Sequence, residues 1–66
     1  MSVKELVGRR IKEVRQAKGL SQEALSEKIG MSAKYLSSIE WGKENPTLDT
    51  LIKLADALHR NIKYFQ

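Results

Sequence analysis

Residues 33 to 41 read AKYLSSIEW, a run in which one lysine and two serines stand where a helix surface usually carries acids and bases. Leu36 and Ile39 are three apart and Glu40 is four from Leu36, so on a helix these three share the inward side. Ala33, Lys34, Ser37, Ser38 and Trp41 then face outward. Hydroxyls donate and accept hydrogen bonds, an ammonium only donates, and a methyl offers apolar contact. That mixture suits recognition of a polar groove rather than bond making. Catalysis has no apparatus in this chain, which holds no Cys, one His, no P-loop and no G-x-G-x-x-G. The same scarcity of Cys and His rules out a disulfide framework and a Cys/His zinc site, and no cofactor is expected. No small-molecule pocket is legible either.

Sixty-six residues make a single domain, spanning 1–66. A chain this short buries only about 60% of the surface its unfolded form exposes, so its stability is expected to be roughly 3 to 5 kcal/mol. No apolar stretch approaches the roughly 20 residues that cross a bilayer, and the N-terminus lacks a secretory pattern, so the expected compartment is the cytoplasm and no membrane partner is foreseen. Twelve Lys and Arg against eight Asp and Glu leave a net charge of +4, which favours a polyanionic partner. The excess sits at the front, where residues 1–20 hold six basic and two acidic groups.

The elements that must position the 33–41 run follow from caps and periodicity. Ser2 and Glu5 form an S-x-x-E capping box ahead of Val3, Leu6, Val7, Ile11 and Val14, which predicts a helix over about 3–18 stopped by Gly19. Ser21 caps a second helix over 22–29, with Leu20 and Leu25 as a hydrophobic staple and Gly30 as the stop. Ser32 repeats the device for a third helix of about nine residues, closed by Gly42. Pro46 disfavours helix at Asn45, and Thr47 caps a fourth helix carrying Leu48, Leu51, Ile52, Ala55 and Leu58. Asn61 can cap a last short helix holding Ile62 and Phe65. The expectation is all-α: five short helices around one core, each too short to persist without packing.

Two short helices joined by Gly30-Met31-Ser32 match the helix-turn-helix, whose second member enters the DNA major groove. Counting from Gln22, Ser26, Gly30, Leu36 and Ile39 fill the places that must be small, turn-forming, apolar and apolar. Ser26 replaces the usual Ala, and its hydroxyl can bond back along its own helix. Across nearly the whole chain the sequence resembles the Cro and phage-repressor type of helix-turn-helix proteins, the xenobiotic-response-element family. Arg10, Ile11, Val14, Arg15, Lys18-Gly19-Leu20-Ser21-Gln22, Leu25, Lys28-Ile29-Gly30, Tyr35-Leu36-Ser37, Ile39-Glu40, Gly42-Lys43, Pro46, Thr47-Leu48 and Leu54-Ala55 fall in that pattern.

The resemblance implies a compact five-helix repressor-like domain that binds double-stranded operator DNA, commonly as a homodimer. It implies base contacts for Ala33, Lys34, Ser37 and Ser38, and backbone contacts for Arg10, Gln22, Ser32, Tyr35, Trp41, Lys43 and Asn45. It also implies a partly buried ion pair between Arg15 and Glu40. Chemistry agrees for the bases, since Lys34 can donate to guanine O6 and N7, Ala33 can meet a thymine methyl, and Ser38 can pair with several bases. Arg9, Arg10, Lys12 and Lys18 fit a solvated helix face equally well. Glu23 and Glu27, a like-charge pair four apart, are either solvated or an acidic patch for RNA polymerase; reversing both charges while following activation separates the two. Ile62, Tyr64 and Phe65 are either core or a dimer interface. The rival function is a protein-interaction module, such as an antitoxin or scaffold domain, using the same helical surface.

Overall fold

The computed structural model describes residues 1–65. Four α-helices follow in chain order: α1 Val3–Ala17, α2 Gln22–Ile29, α3 Ala33–Glu40 and α4 Leu48–Ala57. Each begins at the side chain that the sequence offers as a cap. The Glu5 amide donates to Ser2 Oγ at 3.3 Å and the Ser2 amide donates back to Glu5 Oε1 at 2.9 Å. That bond from the Ser2 backbone, with the Ser2 hydroxyl second, holds the Glu5 carboxyl below its usual range. Ser21, Ser32 and Thr47 accept from the amides of Ala24, Tyr35 and Thr50 at 3.0, 3.0 and 3.2 Å, so each helix start gains a partner for an otherwise orphaned donor.

The fifth helix is corrected to a 3-10 turn, Ile62–Phe65. Four residues are too few for an α-helical ladder, and Asn61 takes the first donors instead: its Oδ1 accepts from the Lys63 amide at 3.0 Å and its carbonyl from the Tyr64 amide at 2.9 Å. The other boundaries agree to within a residue, α3 ending at Glu40 with Trp41 as its C-cap.

Val7, Ile11 and Val14 of α1, Leu25 of α2, Leu36 and Ile39 of α3, and Leu51, Leu54, Ala55 and Leu58 of α4 form one buried cluster with Phe65. Phe65 is therefore covered within the single chain, with Ile62 half-buried against the same cluster. An aromatic ring already enclosed by α1 and α4 has no surface to give a second subunit, so Phe65 leaves the set of candidate interface residues. Only Tyr64 of that trio is exposed. The apolar stripe expected on α4 is also rotated. Leu54 is fully buried while Leu48 and Ile52 remain exposed, because the helix turns its Leu51–Leu54–Leu58 side toward the core.

Two backbone positions set the joints. Gly30 adopts φ 72, and the amide of the next residue, Met31, reaches back to the Ser26 carbonyl at 3.0 Å. This left-handed closure turns the chain between α2 and α3 and disfavours any residue with a Cβ. His59 performs the same closure after α4 at φ 56, with the Arg60 amide bonded to the Ala55 carbonyl at 2.9 Å. A non-glycine residue there is strained, so His59→Gly is expected to raise stability by about 1 kcal/mol. A denaturant midpoint that stays put or falls would contradict this.

Candidate nucleic-acid interface

α3 is oriented by α1 and by a buried polar cluster. α1 crosses α3 at Gly8, where a Cβ would run into the Ile39 carbonyl oxygen and lie 3.1 Å from that of Glu40. Seven residues on, the buried Arg15 grips Glu40 from two sides: Nε donates to Oε2 at 2.7 Å and Nη2 donates to Oε1 at 2.9 Å. Arg15 Nη1 donates to the Leu20 carbonyl at 2.7 Å. Gln22 Nε2 adds a third donor to Glu40, reaching Oε1 at 2.9 Å. The cluster thus joins α1, the α1–α2 turn, the start of α2 and the end of α3. Among the described residues no buried side-chain nitrogen or oxygen lacks a partner, the condition under which a buried ion pair is tolerated.

With Leu36, Ile39 and Glu40 buried, α3 turns Lys34 fully outward and leaves Ala33, Ser37 and Ser38 partly exposed. The only acid of α3 is the one neutralised inside. Ser32 is exposed at the start of the face, although its hydroxyl is occupied by the Tyr35 amide. Tyr35 is half-buried and packs on the core. Beyond α3 the chain folds back, the amides of Lys43 and Glu44 donating to the Ser38 carbonyl at 2.9 and 3.3 Å. That turn holds the exposed Lys43 against the end of α3, while Asn45, also exposed, lines a groove with Val3, Val7, Pro46, Leu48 and Leu51. Trp41 is 71% exposed at the edge of the outward face. Ser26 is buried where the helices of the pair meet, and its hydroxyl donates to the Glu23 carbonyl at 3.0 Å. Glu23 and Glu27 are exposed on α2.

One placement differs from the expectation. Arg10 lies on the side of α1 turned to the terminal turn, where Nη1 donates to the Tyr64 carbonyl at 2.9 Å and the guanidinium stands 5.9 Å from the Tyr64 ring centre. Gly8, not Arg10, is on the side that meets α3, so the structure does not bring Arg10 to the outward face of α3. Lys12 is brought there instead, its Nζ 5.6 Å from the centre of the Trp41 ring. The signal was helical spacing: Lys12 follows Gly8 by four residues and shares its side of α1. Gln22 is half-buried and committed through Nε2 to Glu40, at the N-terminus of α2, where backbone amides without an intrahelical partner suit an anion.

The Helix-turn-helix family model HTH_3 matches residues 11–65, from the middle of α1 to the terminal turn. The chain belongs to the helix-turn-helix family. Members of this family are DNA-binding transcription regulators, not enzymes. An uncharacterised HTH-type transcriptional regulator of Sinorhizobium fredii, y4dJ, is 47% identical over 58 residues, covering 88% of this chain and 75% of that protein. The control protein C.SmaI of Serratia marcescens is 39% identical over 62 residues, covering 94% of this chain and 74% of its own. In three dimensions the crystal structure of the restriction-modification controller protein C.AhdI from Aeromonas hydrophila superposes with a TM-score of 0.91 at 36% identity, covering 96% of each chain. The helix-turn-helix of this chain is α2 with α3.

Proposed function

We propose that this chain is a sequence-specific DNA-binding transcriptional regulator that lays α3 in the major groove. The observation that carries it is the composition of the outward face of α3. Short polar side chains and one lysine are exposed, and its single acid is buried against Arg15. A helix surface of that kind fits between phosphate rows and can meet base edges, while an exposed carboxylate there would be repelled. Ala33, Lys34, Ser37 and Ser38 read bases; Gln22, Ser32, Tyr35, Trp41, Lys43 and Asn45 hold the backbone. With one strong base donor per subunit, part of the specificity comes from DNA shape.

The chain acts as a homodimer on a pseudo-palindrome whose half-sites lie about one helical turn, roughly 34 Å, apart. Repression by blocking polymerase requires nothing beyond binding. Glu23 and Glu27, exposed on α2, touch polymerase when the site lies upstream of a promoter. Among the described residues no helix is long and apolar enough to cross a membrane, in keeping with work in the cytoplasm.

Binding titrations over a set of operator variants test the assignment. Lys34→Ala is expected to weaken binding by about 1 to 3 kcal/mol and to relax one base position, while Gln22→Ala weakens all sequences alike. Equal losses across variants for Lys34→Ala would remove it from the base readers. Salt separates DNA from a protein partner: a dimer neutralising about six to eight phosphates loses affinity with a log-log slope of about −5 to −7, and a protein groove shows far less dependence.

A further inference from the structure

We propose that Lys12 of α1 and Trp41 at the end of α3 form one phosphate clamp, a ring-held ammonium that grips the DNA backbone from outside the helix-turn-helix. This rests on the DNA-binding reading above and adds to its site a residue of α1 that the reading does not use. Lys12 follows Gly8, where α1 crosses α3, by four residues, and its Nζ stands 5.6 Å from the centre of the Trp41 ring. Both side chains are exposed. A cation near an indole face is attracted by the ring electrons, so the ammonium is steered to one place instead of sweeping the surface.

No acid of α1 neutralises that cation. Glu13, its acidic neighbour, faces Arg9 at 4.0 Å. Glu5, seven residues earlier on the same side of the helix, gives its carboxylate to the Ser2 amide at 2.9 Å. The ion pairs among the described residues are Arg9 with Glu13 and Arg15 with Glu40, so Lys12 is in none of them. Chemistry then selects the occupant. An ammonium brings three donors and an indole one, and neither brings a hydrogen-bond acceptor, so the pair calls for an acceptor-rich anion. Its place names the source. Lys34, Ser38 and Trp41 stand at i, i+4 and i+7 along α3, with Trp41 keeping helical backbone angles as the C-cap. The clamp therefore ends the row of side chains that enters the groove, where the next group to be met is the sugar-phosphate chain. Tyr64 makes the contrast. Its ring also has cations beside it, Arg10 and Arg60 at 5.9 and 5.1 Å, but Arg10 is on the flank of α1 turned to the terminal turn, so an anion drawn there has no part in the α3 site.

Trp41 is the only Trp of the chain, so its emission reports on the clamp directly. In the free protein, Lys12→Gln is expected to lower quenching by iodide about twofold, because the ammonium no longer gathers anions at the ring. Quenching by neutral acrylamide should stay the same, which also reports that the fold is intact. On the duplex recovered by selection from random sequences, Lys12→Gln should weaken binding about fivefold per subunit, alike on sequence variants, and cut the slope of log affinity against log salt by about 0.9. Lys63→Gln removes the same charge from the terminal turn and should leave that slope unchanged. Trp41→Phe, which keeps a ring, should preserve most of the Lys12 effect, and Trp41→Leu should remove most of it. A slope untouched by Lys12→Gln, or lowered as much by Lys63→Gln, overturns the proposal, as does a Lys12 effect undiminished by Trp41→Leu. An iodide response without a change of slope overturns it too, since the pair then serves another anion. Where wild type binds the duplex and Lys12→Gln binds it with the same slope, the clamp alone fails; a wild-type chain that binds no duplex defeats the regulator reading and the clamp together.

Discussion

Glu40→Ala is expected to leave about half of the protein or more unfolded at 25 °C. Glu40 accepts three hydrogen bonds, two from Arg15 and one from Gln22, with Arg15 and Glu40 both buried. Removing the carboxylate strands a guanidinium in the interior, and breaking a buried pair in this way costs about 3 to 5 kcal/mol. The whole domain has about the same stability, so a loss of this size shifts the folding equilibrium to near balance or past it. Urea titration followed by circular dichroism reads the change directly. Replacing both partners by apolar residues, Arg15→Met with Glu40→Leu, should recover most of the loss, because no buried charge is then left alone. A loss below about 1 kcal/mol for Glu40→Ala would mean that the cluster is solvated and does not orient α3.

Gly8→Ala has the next largest effect, and its sign is diagnostic. In the middle of a helix, Ala is favoured over Gly by about 1 kcal/mol, so helix propensity alone predicts a more stable protein. Here the added methyl would occupy the space of the Ile39 carbonyl oxygen. Backbone cannot rotate away as a side chain can, so α1 and α3 must separate. We expect a net loss of about 3 kcal/mol, at the upper end for overpacking. DNA affinity should fall further than the unfolded fraction explains, since the crossing also sets the angle of α3. A thermal midpoint that rises with Gly8→Ala would show that the contact is loose.

Much of the architecture was legible because it depends on local chemistry. Ser2, Ser21, Ser32 and Thr47 each cap a helix through a bond to an amide three residues on, and a contact of that range needs no knowledge of the rest of the chain. Gly30 is of the same kind. The outward face of α3 followed from the spacing of Leu36, Ile39 and Glu40, because a single short helix with a clear apolar side has one way to lie down. Where two sides of a helix compete, spacing was insufficient. α1 carries Arg10 on one flank and Lys12 on the other, and only the crossing at Gly8 places Lys12 against Trp41 and Arg10 against Tyr64. Resemblance pointed Gln22 to a phosphate, while its bond to Glu40 spans 18 positions of sequence and could not be read locally.

By itself, then, the amino-acid order determined where helices begin and stop, that one of them exposes small polar groups with a lysine, and that the chain has no Cys and a single His. Those properties are settled by bonds across three or four residues and by composition. Tertiary packing decided the rotation of each helix about its own axis: Leu54 inward and Ile52 outward on α4, Phe65 enclosed, and Glu40 fastened to Arg15. The reason is that rotation is set by which apolar groups find close-packed neighbours from distant segments, and the free-energy differences between neighbouring orientations arise only when the whole core is assembled.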